Sequence, residues 1–219
     1  YYFPFAFAIK TPLPTLLLLL SGFVALLFTW KKAGTQRSAE GMVVFLLLPA
    51  AVYFGISLTS SLNIGYRHLL PMLPFLWLFT AVSLNNLPGR WLAPARLAVG
   101  AAGLWLMVQA VFIWPDYIPF FNIVAGGTDS EWRLLSDSNI DWGQDLPALA
   151  AWQQETGESV KLSYFGTAHP SAYDIDFEPL PMWTPAPEQA LPGRQLFNSH
   201  NPAPGVYALS VTSLHGVVL

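Results

Sequence analysis

Four long runs without a formally charged side chain fill the first half of the chain: Thr11–Trp30, Gly41–Tyr66, His68–Gly89 and Leu97–Pro115. A helix needs roughly 20 predominantly apolar residues to cross a hydrocarbon core, so the pattern predicts spans near 11–30, 41–59, 69–84 and 97–114. In the third run Pro71 falls near the helix start, where proline is tolerated, and Pro74 introduces a kink. After Pro115 charges, prolines and glycines cut the chain into short elements. The stretch "DLPALAAWQQETG" has the form of a helix with Asp145 at its N-cap and Gly157 as terminator. Two others, "SVKLSYFG" and "GVYALSVTSL", alternate and are rich in strand formers. Between them "DFEPLPMWTPAPEQALPG" is proline-rich enough to predict an irregular excursion. Helix, strand, long loop and strand together predict a small α/β domain.

Composition supports the division. Of the 219 residues, 53% are hydrophobic and 11% charged, where an ordinary soluble domain carries about 25% charged residues. Residues 1–114 hold seven Lys/Arg against Glu40 alone, a balance of +6, whereas residues 115–219 hold Arg133, Lys161 and Arg194 against twelve acids, a balance of −9. Cytoplasmic loops retain Lys and Arg. The loop with Lys31, Lys32 and Arg37 and the loop with Arg90 and Arg96 are therefore expected in the cytoplasm, leaving Lys10 and Arg67 on the opposite side. The expected architecture is a membrane all-α bundle of about four transmembrane helices over residues 1–115, followed by a small extracytoplasmic α/β domain over 116–219. Tyr1, Tyr2, Trp30, Tyr66, Trp91 and Trp114 fall near span ends, as interfacial anchors do. No cysteine is present, which removes disulfides and thiolate metal sites from consideration. The chain opens on Tyr1 and stops within an apolar run, Gly216–Leu219, so both ends are expected to be truncated.

Candidate chemistry is sparse. Arg67 and His68 stand at the entrance of an apolar run, in "GYRHLLP". A guanidinium at the membrane boundary presents a planar fork of donors that suits phosphate. His68 adds a donor or a titrating group, Lys10 a second positive charge on the same face, and a helix starting near Leu69 its free amides. The competing reading is that Arg67 snorkels and obeys topology. Asp137, Asp141 and Asp145 are four apart, and on one continuous helix they would share a face able to hold a divalent cation. Gly143 and the Asp-Leu-Pro turn argue against that helix; Asp145 then caps, Asp137 or Asp141 binds backbone amides in turns, and no metal is expected. His169, His200 and His215 show no ligand spacing, and Gly166 alone is no phosphate-binding fingerprint. Trp142, Tyr164, Tyr173 and Trp183 are able to stack on sugars or to pack a core.

The phrases "YFPFAFAIKTPLPTLLLLL", "SLNIGYRHLLPMLPFL", "PDYIPFFNIVAGG", "LLSDSNIDWGQDLPALAAW" and "YFGTAHPSAYDI" together resemble the later part of bacterial GT-C class membrane glycosyltransferases, the group related to protein O-mannosyltransferases. The resemblance runs over nearly the whole chain. It implies inverting transfer of a sugar from a polyprenyl-phosphate donor to a glycan, lipid or protein acceptor at the extracytoplasmic face of a bacterial inner or plasma membrane. It implies no cofactor and no nucleic-acid partner. The acidic residue that serves as base in that family lies in an earlier loop, upstream of Tyr1, so the resemblance assigns no catalytic residue here. It carries over Arg67, with His68, and Lys10 as partners of the carrier phosphate. Two other classes compete: a transporter-like bundle with Arg67 and Lys10 along an anion path, and a membrane-anchored module whose outer domain binds a glycan or a protein. Charge-free span centres count against the transporter.

Overall fold

In the computed structural model the described residues are 2–30, 37–60, 65–126, 131–180 and 202–215. Tyr1, Lys31, Lys32, Trp183 and His200 lie outside them. The chain divides into two units, Tyr1–Glu131 and Trp132–Leu219. The first is helical and the second carries a small parallel sheet.

The first unit comprises α1 (Tyr2–Lys10), α2 (Leu13–Trp30), α3 (Arg37–Thr59), α4 (Leu73–Asn85) and α5 (Gly89–Ile113). Among the described residues three helical segments are long and apolar enough to cross a membrane: Gly41–Thr59, Tyr66–Asn85 and Gly89–Ile113. A fourth is counted if α1 and α2, bent by 111° at their junction, form one broken span. Helix α1 was not foreseen. Its nine residues end at Thr11-Pro12, where proline supplies no N–H to continue the ladder, and Thr11 N–H closes the last turn on Phe7 O at 3.2 Å.

The third span also starts differently from expectation. A 3-10 turn runs over Tyr66–Met72 and the α-helix begins only at Leu73. Pro74 has no N–H to donate to Leu70 O, a bond that a helix starting at Leu69 would need; it instead occupies the first turn of α4, where no N–H is required. Helices α2 and α4 pack closely through Gly22: a Cβ there would lie 3.0 Å from Thr80 Cα and Oγ1. Small residues permit this approach between membrane helices, where lipid offers no hydrophobic drive. Phe79, fully buried, packs with Val43 and Leu46 of α3. Helix α5, by contrast, buries none of its residues.

The second unit holds α6 (Leu146–Thr156), β1 (Val160–Ser163), β2 (Phe177–Pro179), β3 (Val206–Leu209) and α7 (Val211–Leu214). Helix α6 ends as expected on Gly157, which adopts φ +69° and donates its N–H to Gln153 O at 2.8 Å. Asp145 takes the N-cap position, but its carboxylate makes no capping bond to the first turn. Among the described residues the strands form one parallel sheet in the order β2-β1-β3, with Val160 opposite both Phe177 and Val206. Two details correct the sequence reading. Phe177–Pro179, placed in the irregular excursion, is an edge strand, which accommodates proline. The run "GVYALSVTSL" stops being a strand at Leu209, because Ser210 caps a short helix by accepting a bond from Ser213 N–H at 3.3 Å. Leu146, Val160, Leu162, Tyr164 and Ile175 form the core of this unit.

Candidate functional site

The basic cluster of the first unit is assembled by packing of α1 against the Tyr66–Met72 turn. Phe3, Leu69, Met72 and Ala50 form the buried centre, with Phe7 and Tyr66 against it. At the rim Thr11 Oγ1 and Tyr66 Oη are 2.9 Å apart. That bond joins the residue after Lys10 to the residue before Arg67, so the two cationic segments meet at this point. Gly65, at φ +148°, lets the chain enter the turn in a conformation side chains disfavour.

Within the cluster the three candidates behave differently. Arg67 is exposed. His68 is half-buried, and its Nε2 is enclosed without a hydrogen-bond partner among the described residues. Buried ring nitrogens ordinarily find a partner, because leaving one unpaired costs about 1–3 kcal/mol. Lys10 is buried at 8% exposure; its Nζ donates to Ile118 O at 2.8 Å and lies 4.3 Å from the centre of the Phe121 ring. It sits in the last turn of α1, where a cation is favoured by the helix dipole. The anion site expected at a helix start near Leu69 is displaced, since the α-helix begins four residues later.

Asn122 holds the same end of α1 from the segment after α5, and sequence reasoning gave no sign of it. It is 1% exposed. Its Nδ2 donates to Ala8 O at 2.7 Å and Thr11 O at 2.8 Å, its backbone N–H donates to Ile9 O at 2.8 Å, and its Oδ1 accepts from Val124 N–H at 3.0 Å. The final carbonyls of a helix have no partner within it, and a single carboxamide with its own backbone supplies several of them here.

In the second unit the three aspartates do not share a helix. Asp137 opens a 3-10 turn at φ +59° and accepts from Ser138 N–H at 2.6 Å. Asp141 is buried and accepts from Gly143 N–H at 2.8 Å, while Asp145 is exposed. Among the described residues no group of three or more His, Asp or Glu side chains is arranged to hold a metal ion. Burial lifts the Asp141 pKa above its ordinary value; bonds from Gly143 N–H and the Ser210 hydroxyl oppose that rise, and the charge of Asp145 adds to it. Ser210 leads into a buried hydroxyl cluster at the ends of β1 and β3. Its Oγ is 3.1 Å from Ser213 Oγ, to which Ser163 Oγ donates at 2.9 Å. The Ser210-x-x-Ser213 spacing of a helix cap was the available signal for two of these residues.

Gly143, at φ +79°, lies so close to the Tyr164 ring that a Cβ would overlap it. Tyr164 in turn donates its hydroxyl to Ala168 O. Trp142 is exposed at 39% and rests against Phe165, ring centres 5.4 Å apart; Tyr173 is also exposed. His169 accepts a bond from Ser171 N–H, and His215 packs edge-on against Trp132, so both have local structural partners.

No protein-family model, curated protein or solved structure matches this chain.

Proposed function

We propose that the chain is the C-terminal part of an integral membrane glycosyltransferase that moves a sugar from a polyprenyl-phosphate donor to an acceptor at the extracytoplasmic face. The observation that carries this reading is the placement of an exposed Arg67 beside an enclosed His68 Nε2 that has no hydrogen-bond partner among the described residues, at the entrance of an apolar segment. The order of the sequence phrases supports the reaction class. In the proposed step the acceptor hydroxyl attacks the anomeric carbon, the bond from that carbon to the phosphate oxygen breaks, and the polyprenyl phosphate leaves with the electron pair. The acceptor's proton passes to the acidic residue that the resemblance puts in an earlier loop. The Arg67 fork and His68 then meet charge growing on the phosphate oxygens, and Lys10 adds positive potential from its position on Ile118. The donor is a substrate, and the reading needs no cofactor.

Sugar transfer from a radiolabelled polyprenyl-phosphate donor by the full-length enzyme tests this. Losing one preorganised donor costs roughly 100- to 1,000-fold in rate, so Arg67→Ala should fall in that range while Arg67→Lys retains part of the activity. An unchanged rate and donor KM for Arg67→Ala would show that the phosphate is held elsewhere. The exposed Trp142 on Phe165 favours a second reading, a glycan- or protein-binding role for the second unit. Loss of glycan retention in Trp142→Ala with transfer intact would favour it.

A further inference from the structure

We infer that the trough between α2, α4 and α5 is a binding site for one acyl chain of an anionic phospholipid, with the lipid phosphate on Arg96. The trough has a volume of about 400 Å³, within the range of roughly 300–1,000 Å³ typical of ligand sites. Its walls are almost wholly apolar, and its few polar side chains include Asn85 and Arg96 at one end. On α5 the wall is made by Arg96, Val99, Gly103 and Leu106, which share one helical face.

Three observations favour a lipid tail. First, the space is open where the neighbouring interface is closed: a Cβ on Gly22 would lie 3.0 Å from Thr80, whereas a Cβ on Gly103 would meet nothing within 4 Å. An unfilled apolar space forfeits dispersion contacts on every wall, and a hydrocarbon chain restores them. Second, the depth suits one leaflet. The α5 wall begins at Leu92, and its part beyond Arg96, the ten residues to Leu106, rises about 15 Å, which is half of a hydrocarbon core of about 30 Å. Third, the charge suits a phosphate. Arg96 is exposed, lines the trough and makes no hydrogen bond or ion pair among the described residues. Basic sites between helix ends on the Lys/Arg-rich side of a membrane attract anionic headgroups, and Asn85, the last residue of α4, offers a carboxamide at the same end.

Native mass spectrometry of the full chain, released from micelles containing equal amounts of phosphatidylglycerol and phosphatidylcholine with identical acyl chains, tests the inference. The expected result is one retained lipid, with at least a fivefold preference for phosphatidylglycerol. Arg96→Gln should abolish that preference and Arg96→Lys keep part of it. Gly103→Phe should remove retention of both lipids by filling the trough, while Leu104→Ala, exposed on the same helix and outside the trough, should leave retention unchanged. Equal retention of the two lipids, or an unchanged preference in Arg96→Gln, would overturn the proposal. So would capture of a second copy of the chain by a disulfide from Gly103→Cys, which would assign the trough to a protein helix.

Discussion

Replacing Asn122 with alanine removes two donors and one acceptor from a site that is 1% exposed. The bonds lost are those to Ala8 O and Thr11 O, 2.7 and 2.8 Å long, and the one from Val124 N–H at 3.0 Å. The backbone bond from Asn122 to Ile9 O remains available. A buried polar group left without a partner costs about 1–3 kcal/mol; three groups are affected, but those near the rim recover water. The net effect is therefore expected at about 2–4 kcal/mol, felt locally as release of the 118–126 segment from the end of α1. Hydrogen exchange followed by mass spectrometry reads this directly. Amides 122 and 124 should exchange roughly 30- to 1,000-fold faster in Asn122→Ala, since each 1.4 kcal/mol is about a factor of ten. Tyr117→Phe, which removes an exposed 3.1 Å bond to Ala110 O, is the control and should change exchange by less than about threefold. If Asn122→Ala exchanged no faster than that control, the carboxamide would not be holding the end of α1.

Two further outcomes follow from the packing and the charges. Gly22→Ala should lower stability in micelles by roughly 1–3 kcal/mol, because the new methyl group forces α2 from α4, whereas Gly103→Ala should stay within about 0.5 kcal/mol; equal effects in thermal unfolding would refute the contrast. Asp141 holds its proton in the folded state at pH values where the unfolded chain, at its ordinary pKa near 3.8, has lost it. Its contribution to stability is thus fully present below that value, declines as pH rises to the lifted folded-state pKa, and is level above it. Melting temperatures of the parent and Asp141→Asn proteins from about pH 3 to 8 should diverge across that window, the parent losing ground as pH rises; a pH-independent difference would contradict the burial of an ionisable carboxyl.

The apolar segments were legible because hydrophobic length is the governing variable for such helices: α2 and α4 lie within charge-free runs, whereas α3 and α5 start ahead of theirs, so that Arg90 and Arg96, read as loop residues, are helical. Helix α1 was not legible: Pro12 marks its end locally, but the partner of its last carbonyls is Asn122, more than a hundred positions away, and no local pattern encodes such a partner. Gly157 could be read as a terminator because a left-handed residue is a local requirement. The aspartates illustrate the opposite case. Spacing of four suggested a shared face, but Gly143 turns the chain against Tyr164, and Asp141 is left facing Ser210. Ser163, Ser210 and Ser213 meet only because β1 and β3 are neighbours, a pairing that individual strand signals do not reveal. At the basic cluster the charges were visible in the sequence, but the burial of Lys10 on Ile118 was not.

Helix α5 has 25 residues and no buried side chain. Its charge-free part begins only after Arg96, and Leu97–Ile113 has 17 residues, a length of about 25 Å against a hydrocarbon thickness of about 30 Å. A stretch shorter than the core is met by local thinning of the bilayer and by flanking side chains that reach to the interface. Membrane thickness is therefore a mechanical load on this helix: a thin bilayer matches it and a thick one must pinch around it.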